Sequence, residues 1–307
     1  MSFIAAVVQD SPEVFNLSGT IDKVEQLAKK AKNKGAELVV FPEAFVSSYP
    51  KGIDFGARVG MRSNEGRDMF LKYYNSSLDL KSKNFKKLCS IAKKLKIILS
   101  IGVIEKDSGT LYCTALNISK NGEILGKHRK VMPTAMERLI WGFGDGSTLD
   151  VSQSDLGNIG SVICWENYMP LMRMSMYSKG IQLYCAPTAD DRESWISSMI
   201  HVALEGRCFV FSSCQYLLRK DCPNYYKPIQ GDAPNTVLMN GGSCIISPLG
   251  ELLAGPVRNK KTIITAEIDL DEITRGKYDF DVTGHYSRSD IFKLIINENS
   301  NTPVKKH

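Results

Sequence analysis

The amino-acid sequence predicts one α/β domain in which two mixed β-sheets pack face to face with helices on the outside. Three observations predict it. Short apolar, β-branched runs alternate with amphipathic segments of helical period through most of the 307 residues. Two hairpin signals, Asn121-Gly122 and Pro248-Leu249-Gly250, interrupt that alternation, so the sheets hold antiparallel as well as parallel neighbours. No linker-like shift in composition and no repeat of fixed period divides the chain. Two stacked sheets use this many strands well.

Residues 3–8 read as the first strand. A helix follows over 17–33, with Ile21, Val24, Leu27, Ala28 and Ala31 on one face, Asn16 or Ser18 as cap and Gly35 as stop. Residues 38–41 form a buried strand halted by Pro42. Residues 43–66, rich in Gly and Ser and containing Tyr49-Pro50, read as a long functional loop. A second amphipathic helix covers 84–95 and an apolar strand 97–104; strands 111–119 and 123–126 pair as a hairpin. Residues 156–163 read as a buried strand feeding a helix over 167–179, in which Leu171, Met172, Ser175 and Met176 recur in step and Gly180 is the stop. Then come a strand at 181–186, a helix at 195–205, a strand at 209–214, a polar excursion over 219–240, a hairpin of 242–246 with 252–255, a strand at 262–268 and a short helix at 270–277. From 291 to 307 the chain turns polar and is expected to fray. The expected organisation is one domain over 1–290 and a tail over 291–307.

Composition narrows the function classes. A hydrophobic content of 43% and a charged content of 23% are those of an ordinary globular protein. The net charge of +6 sits on helix-like segments such as 81–96 and in Lys305-Lys306. No aromatic-basic stripe accompanies it, so no nucleic-acid partner is expected. No apolar run approaches the ~20 residues of a membrane helix, and the start lacks the pattern of a secretory signal. The eight cysteines form no C-x-x-C pair, and four histidines supply no zinc spacing. A cytoplasmic, reducing compartment, no metal and no organic cofactor are the expectations.

Three chemically distinct residues stand at predicted strand ends. Cys164 sits where a strand hands over to a helix, and the positive end of that helix would favour its thiolate, the nucleophilic form. Glu43 follows the 38–41 strand at once, a place from which a side chain enters an α/β crevice. Lys130 lies in the basic run Lys127-His128-Arg129-Lys130, seven residues before Glu137. A carboxylate takes the thiol proton and later that of an attacking water, and an ammonium stabilises charge developing on the substrate. His128 fits loop packing, substrate-side hydrogen bonding or a Cys-His general base. Trp165 and Trp195 fit either an aromatic pocket wall or ordinary packing. Tyr49 is a candidate for the pocket wall.

Four ordered stretches carry a resemblance. Phe41-Pro42-Glu43-Ala44-Phe45, His128-Arg129-Lys130-Val131-Met132-Pro133-Thr134 with Glu137-Arg138, Cys164-Trp165-Glu166-Asn167, and Asp279-Phe280-Asp281-Val282-Thr283-Gly284-His285-Tyr286-Ser287-Arg288 resemble segments of the nitrilases, a branch of the carbon–nitrogen hydrolase superfamily. The match runs over about 3–292. It implies an αββα sandwich that dimers extend into a four-layer pair. It further implies Glu43 as general base, Lys130 as charge stabiliser, Cys164 as nucleophile and Glu137 as a second glutamate beside the lysine. The implied reaction is hydrolysis of a nitrile to a carboxylic acid and ammonia without a cofactor, in a homodimer or larger homo-oligomer. Ser47-Ser48 stand where glycines are expected before Tyr49-Pro50, and Ser289 where a proline is expected. The rival readings are an amidase using the same three residues and a non-catalytic scaffold that binds small molecules or partners.

Overall fold

The computed structural model describes residues 2–301; Met1 and residues 302–307, including Lys305, Lys306 and the end of the expected tail, lie outside the described residues. Strand β1 (Ser2–Gln9) leads through helix α1 (Leu17–Asn33) to β2 (Ala36–Val40). A two-residue ribbon, β3 (Ala57–Arg58) with β4 (Met61–Arg62), precedes α2 (Asn64–Asn75) and α3 (Lys83–Leu95). Strands β5 (Ile98–Asp107), β6 (Thr110–Ile118) and β7 (Ile124–Arg129) follow. The second half holds β8 (Val151–Ser154), β9 (Gly157–Ser161), α4 (Pro170–Ser178), β10 (Leu183–Thr188), α5 (Glu193–Gly206), β11 (Phe209–Cys214) and β12 (Tyr216–Leu218). It closes with β13 (Val237–Ile246), β14 (Leu252–Arg258), β15 (Thr262–Asp269) and α6 (Asp271–Gly276).

The strands form two mixed sheets, ordered β15-β1-β2-β5-β6-β7 and β12-β13-β11-β10-β9-β8, with β14 beside β13. The period-two alternation of β1 shows how the layers stack. Phe3, Ala5 and Val7 join Leu38, Val40, Leu183, Phe209, Phe211 and Ile245 in a core between the sheets. Ala6 and Val8, on the other face, pack against Ile21, Val24 and Ala28 of α1 and Leu88 and Ile91 of α3. On the far side Met172 and Met176 of α4 and Trp195, Met199 and Ala203 of α5 cover the second sheet. The layer order is therefore αββα. No helix among the described residues is long and apolar enough to cross a membrane.

The structure departs from the sequence expectations at several places, four of which bear on the site or the tail. The loop expected over 43–66 ends in α2, whose cap is Ser63 Oγ accepting from Gly66 N; only Gly66 and Tyr73 of that helix are fully buried, so it shows little apolar stripe to read. The helix expected over 167–179 starts only at Pro170. A 3-10 turn, Cys164–Tyr168, comes first, and Met169 is held extended by the proline after it (φ −86°, ψ 107°). Strand β7 runs on to Arg129, because Lys127 and Arg129 reach across β6 to pair with Glu105 of β5. The tail over 291–301 has no regular structure, yet Asn301 N donates to Asp145 Oδ2 (2.7 Å) and Glu298 pairs with Lys179, so this part lies along the body of the domain.

Ser47 and Ser48 have φ of 87° and 77°, the left-handed region where glycine is at ease. That is the physical content of the glycines expected there. Ser48 Oγ accepts from Phe15 N (3.2 Å), but the buried Ser47 Oγ has no partner among the described residues. Ser47→Gly is therefore expected to stabilise the fold by about 1 kcal/mol, from relieved strain and a removed orphan hydroxyl, read as a raised midpoint in thermal unfolding. Gly102 of β5 carries the opposite constraint. A Cβ there would meet the carbonyl oxygen of Pro42 and lie 2.6 Å from Ala44 N and 2.7 Å from Glu43 Cα. Gly102→Ala is expected to lower stability by about 1–3 kcal/mol, with a lowered unfolding midpoint as the readout.

Candidate active site

The loops leaving β2, β7 and β9 meet on one edge of the sandwich. Each bends through the left-handed region at a residue that is not glycine: Ala44 (φ 48°) after Glu43, Ala135 (φ 47°) before Glu137, and Cys164 itself (φ 51°). Such conformations cost on the order of 1–3 kcal/mol each and persist where surrounding structure enforces them. Gln215 Nε2 donates to the Glu43 carbonyl (2.9 Å), and Val46 N donates to Gly102 O (3.0 Å), which lock the first loop to both sheets.

Lys130 is the centre of the site. It is 1% exposed, and its Nζ donates to Glu43 Oε1 at 2.7 Å and to Glu137 Oε2 at 2.7 Å. Glu137 Oε2 also accepts from Thr134 N (2.6 Å), and Glu137 Oε1 from the Tyr49 hydroxyl (2.7 Å). Cys113 Sγ lies 3.5 Å from Glu43 Oε1, while Glu43 Oε2 is buried without a partner among the described residues. Trp141 places its ring 5.6 Å from Lys130 Nζ and packs edge-on against Tyr49. Burial opposes the charge on Lys130, but Glu43 beside it holds the ammonium pKa well above the ordinary lysine value. Burial lifts the Glu43 carboxyl above its usual range, against the pull of Lys130 and with the charge of Glu137 adding to the rise.

Cys164 is 5% exposed, and Thr188 Oγ1 donates to its sulfur (3.1 Å). Here the expectation of a helix-stabilised thiolate fails. The long helix begins six residues on, and burial, joined by the Glu43 charge, pushes the thiol pKa up to about 12. The resting nucleophile candidate is a neutral thiol. Cys164 lines a cavity of about 190 Å³ with Tyr49, Thr134, Glu137, Trp165 and Asp190. A larger cleft of about 680 Å³, with Ile53, Phe55 and Met136 in its walls, shares Tyr49, Lys51 and Glu137 with it.

The family model for carbon-nitrogen hydrolases matches residues 4–278. The chain belongs to that family. Within it the hydrolase is similar to proteins of the nitrilase branch. It is 52% identical to an aliphatic nitrilase of Sinorhizobium fredii, over 98% of this chain and 98% of the relative. It is 49% identical to a bifunctional nitrilase/nitrile hydratase of Lupinus angustifolius, over 98% of this chain and 87% of that one. Among solved structures, a carbon–nitrogen hydrolase from Helicobacter pylori superposes with a TM-score of 0.76 at 20% identity, covering 95% of this chain and 97% of the other.

Of the residues singled out in the sequence, the structure brings Glu43, Lys130, Glu137 and Tyr49 into one hydrogen-bonded cluster and puts Cys164 and Trp165 on the cavity beside it. Trp165 is 41% exposed; its Nε1 donates to Asp190 Oδ2 (2.8 Å) and the Arg192 guanidinium stacks on its ring. Trp195 and His128 line neither cavity. Trp195 is core: its Nε1 donates to Ser212 Oγ (2.8 Å) and its ring packs on Tyr168. His128 is buried between Glu166 and the Thr148 carbonyl. Thr188, Cys113, Trp141 and Asp190 are cavity or cluster residues that the sequence reading passed over. Asp190, two residues past β10 at the end of a parallel strand, carried the same positional signal as Glu43.

A buried neutral thiol predicts a pH dependence. The thiolate fraction of Cys164 is expected to rise about tenfold per pH unit from pH 7 to pH 10, because its pKa lies above that range, whereas an ordinary thiol levels off near 8.5. Iodoacetamide labelling of Cys164, followed by peptide mass mapping, reads this; a plateau near pH 9 would contradict it.

Proposed function

We propose that this hydrolase converts a nitrile and two waters into a carboxylic acid and ammonia, with Cys164 as nucleophile, Glu43 as base and Lys130 as charge stabiliser. The observation that carries the reaction is near-full-length identity of about 50% with enzymes named nitrilases. The geometry supports the mechanism. The Cys164 sulfur attacks the nitrile carbon as its proton passes to Glu43, whose raised pKa makes it a stronger base than an ordinary carboxylate. Negative charge builds on the nitrile nitrogen. Two of the three Lys130 N–H bonds go to Glu43 and Glu137, which leaves the third to donate to that nitrogen. The nitrogen takes the proton that Glu43 holds, which gives a thioimidate and restores the Glu43 carboxylate.

Water then loses a proton to Glu43 and adds to the thioimidate carbon. Breaking the C–N bond releases ammonia and leaves a thioester. A second water breaks the C–S bond, frees the acid and returns the proton to sulfur. Should the C–S bond break first at the tetrahedral stage, the product is an amide, and the competition between the two bonds sets the product ratio. Glu137 holds the Lys130 ammonium in place and Tyr49 holds Glu137. Trp165 walls the cavity. No metal or organic cofactor enters these steps.

The eight cysteines are all unpaired, which supports a reducing, cytoplasmic setting. Assembly into a homodimer or larger homo-oligomer is what the family resemblance implies. The catalytic domain extends to about residue 290, followed by the tail.

Ammonia release from matched nitrile and amide pairs tests the assignment. Nitriles are expected to turn over faster, with a Cys164 adduct trapped by intact mass. Cys164→Ala is expected to abolish both, and Glu43→Gln to reduce turnover about 10²- to 10⁴-fold. Faster amide turnover would replace the nitrilase assignment by an amidase. Ammonia release that survives Cys164→Ala would remove the mechanism.

A further inference from the structure

One buried pair has no part in the steps above. His128, at the end of β7, and Glu166, in the turn of Cys164, meet with His128 Nε2 2.9 Å from Glu166 Oε2. The other ring nitrogen, Nδ1, lies 3.0 Å from the Thr148 carbonyl oxygen. Both facing atoms are acceptors. A neutral imidazole has one N–H and satisfies one of them; only the doubly protonated ring satisfies both. Glu166 in turn accepts from Ile163 N through Oε2 (2.8 Å) and from Val131 N through Oε1 (2.6 Å). His128 is 3% and Glu166 1% exposed, so bulk water replaces none of these contacts.

The position of the pair gives it a task. Ile163 precedes Cys164, and Val131 follows Lys130. One carboxylate thus ties the backbone on either side of the two residues that must face the same substrate atom pair, and the imidazolium anchors that carboxylate to the 146–148 turn. We propose that His128 is a positioning residue, held as an imidazolium, whose ion pair with Glu166 sets the placement of Cys164 against Lys130, and that loss of its proton limits activity on the alkaline side. This deepens the nitrilase reading and rests on it wherever nitrile turnover is the measurement.

The sign follows from the groups around the ring. Burial disfavours the imidazolium, and so does the Lys130 ammonium at the end of the same strand. Glu166, facing it from the Cys164 turn, and the Thr148 carbonyl, facing it from the 146–148 turn, outweigh them, and the pKa lies above the ordinary histidine value. The ring therefore keeps its proton to higher pH than an ordinary histidine and loses it as pH rises past that raised value. One ring nitrogen then turns a lone pair toward an acceptor oxygen, and the tether between the two loops loosens.

The test reads the ring directly. Ring NMR of resting wild-type protein, with His128 assigned by its absence from His128→Gln, is expected to show an imidazolium at pH 7 that titrates above the ordinary ~6.5. A neutral ring at pH 7 overturns the proposal. Should His128→Gln fail to fold, substitution of the other three histidines assigns His128 by subtraction. In turnover, His128→Gln is expected to lower kcat roughly 10- to 100-fold, the range for a lost hydrogen bond to a charged group, with KM within about twofold and without the wild-type alkaline limb. An alkaline limb unmoved in His128→Gln overturns the proposal as well. The ring measurement needs no nitrile; a wild-type protein that released no ammonia would count against the proposed function and leave the ring titration to decide this inference.

Discussion

The ammonium of Lys130 between Glu43 and Glu137 is the interaction on which the arrangement of this hydrolase depends. Three charged groups meet here, with Lys130 and Glu43 shut away from solvent and Glu137 at the cavity wall. Such a group holds together only when every charge has a partner at hydrogen-bond distance. Removing the lysine would leave two carboxylates facing each other in a low-dielectric site. Removing either acid would leave the ammonium half paired. Tyr49 and the Thr134 amide offset the extra negative charge from the Glu137 side. The cluster therefore constrains three chain segments, the ends of β2 and β7 and the 3-10 turn around Glu137, to lie within one hydrogen bond of each other.

The double sheet is what makes that convergence possible. β1, β2 and β5 run parallel in one sheet, and β9, β10 and β11 in the other, so their carboxyl ends open on one edge. The layer between the sheets is apolar and tightly filled, which fixes the separation of the two rows of strand ends. Loop conformations that a free chain would avoid, at Ala44, Ser47, Ser48, Ala135 and Cys164, are held by this frame. Strain is present where chemistry-bearing side chains must be aimed, and the sandwich supplies the stability that offsets it.

Much of this was legible along the chain, for physical reasons. The elements with strong apolar periodicity were read within a few residues: α1 matched end to end, and β11 likewise. Glu43, Lys130 and Cys164 were singled out because strand ends are where α/β folds place ligands, and Glu137 because the ordered motifs implied it. What escaped was set by tertiary contact. The solvated helix α2 hides its pattern, since few of its residues are buried. β7 continued to Arg129 through ion pairs with a strand distant in sequence, where the basic run read equally well as a loop. His128 and Trp195 have residue types that suit a pocket, yet their buried partners, Glu166 and Ser212, lie far along the chain. The charge state of Cys164 was misjudged for a related reason. A helix was inferred from spacing, but Pro170 delayed it, and desolvation dominated the thiol instead.

That last point reshapes how the site works. A thiolate stabilised in the resting enzyme would be a nucleophile at all times, open to oxidation and to stray electrophiles. Here burial keeps sulfur protonated, and the Glu43 carboxyl, whose charge raises the thiol pKa further, is itself lifted by burial. Proton transfer from one to the other is unfavourable while the cavity is empty. On the proposed chemistry it becomes favourable only as charge moves through sulfur to a substrate nitrogen beside Lys130, where the ammonium repays the separation. Desolvation, which makes the resting thiol inert, and the buried ammonium, which makes its attack possible, are then two consequences of one dry pocket.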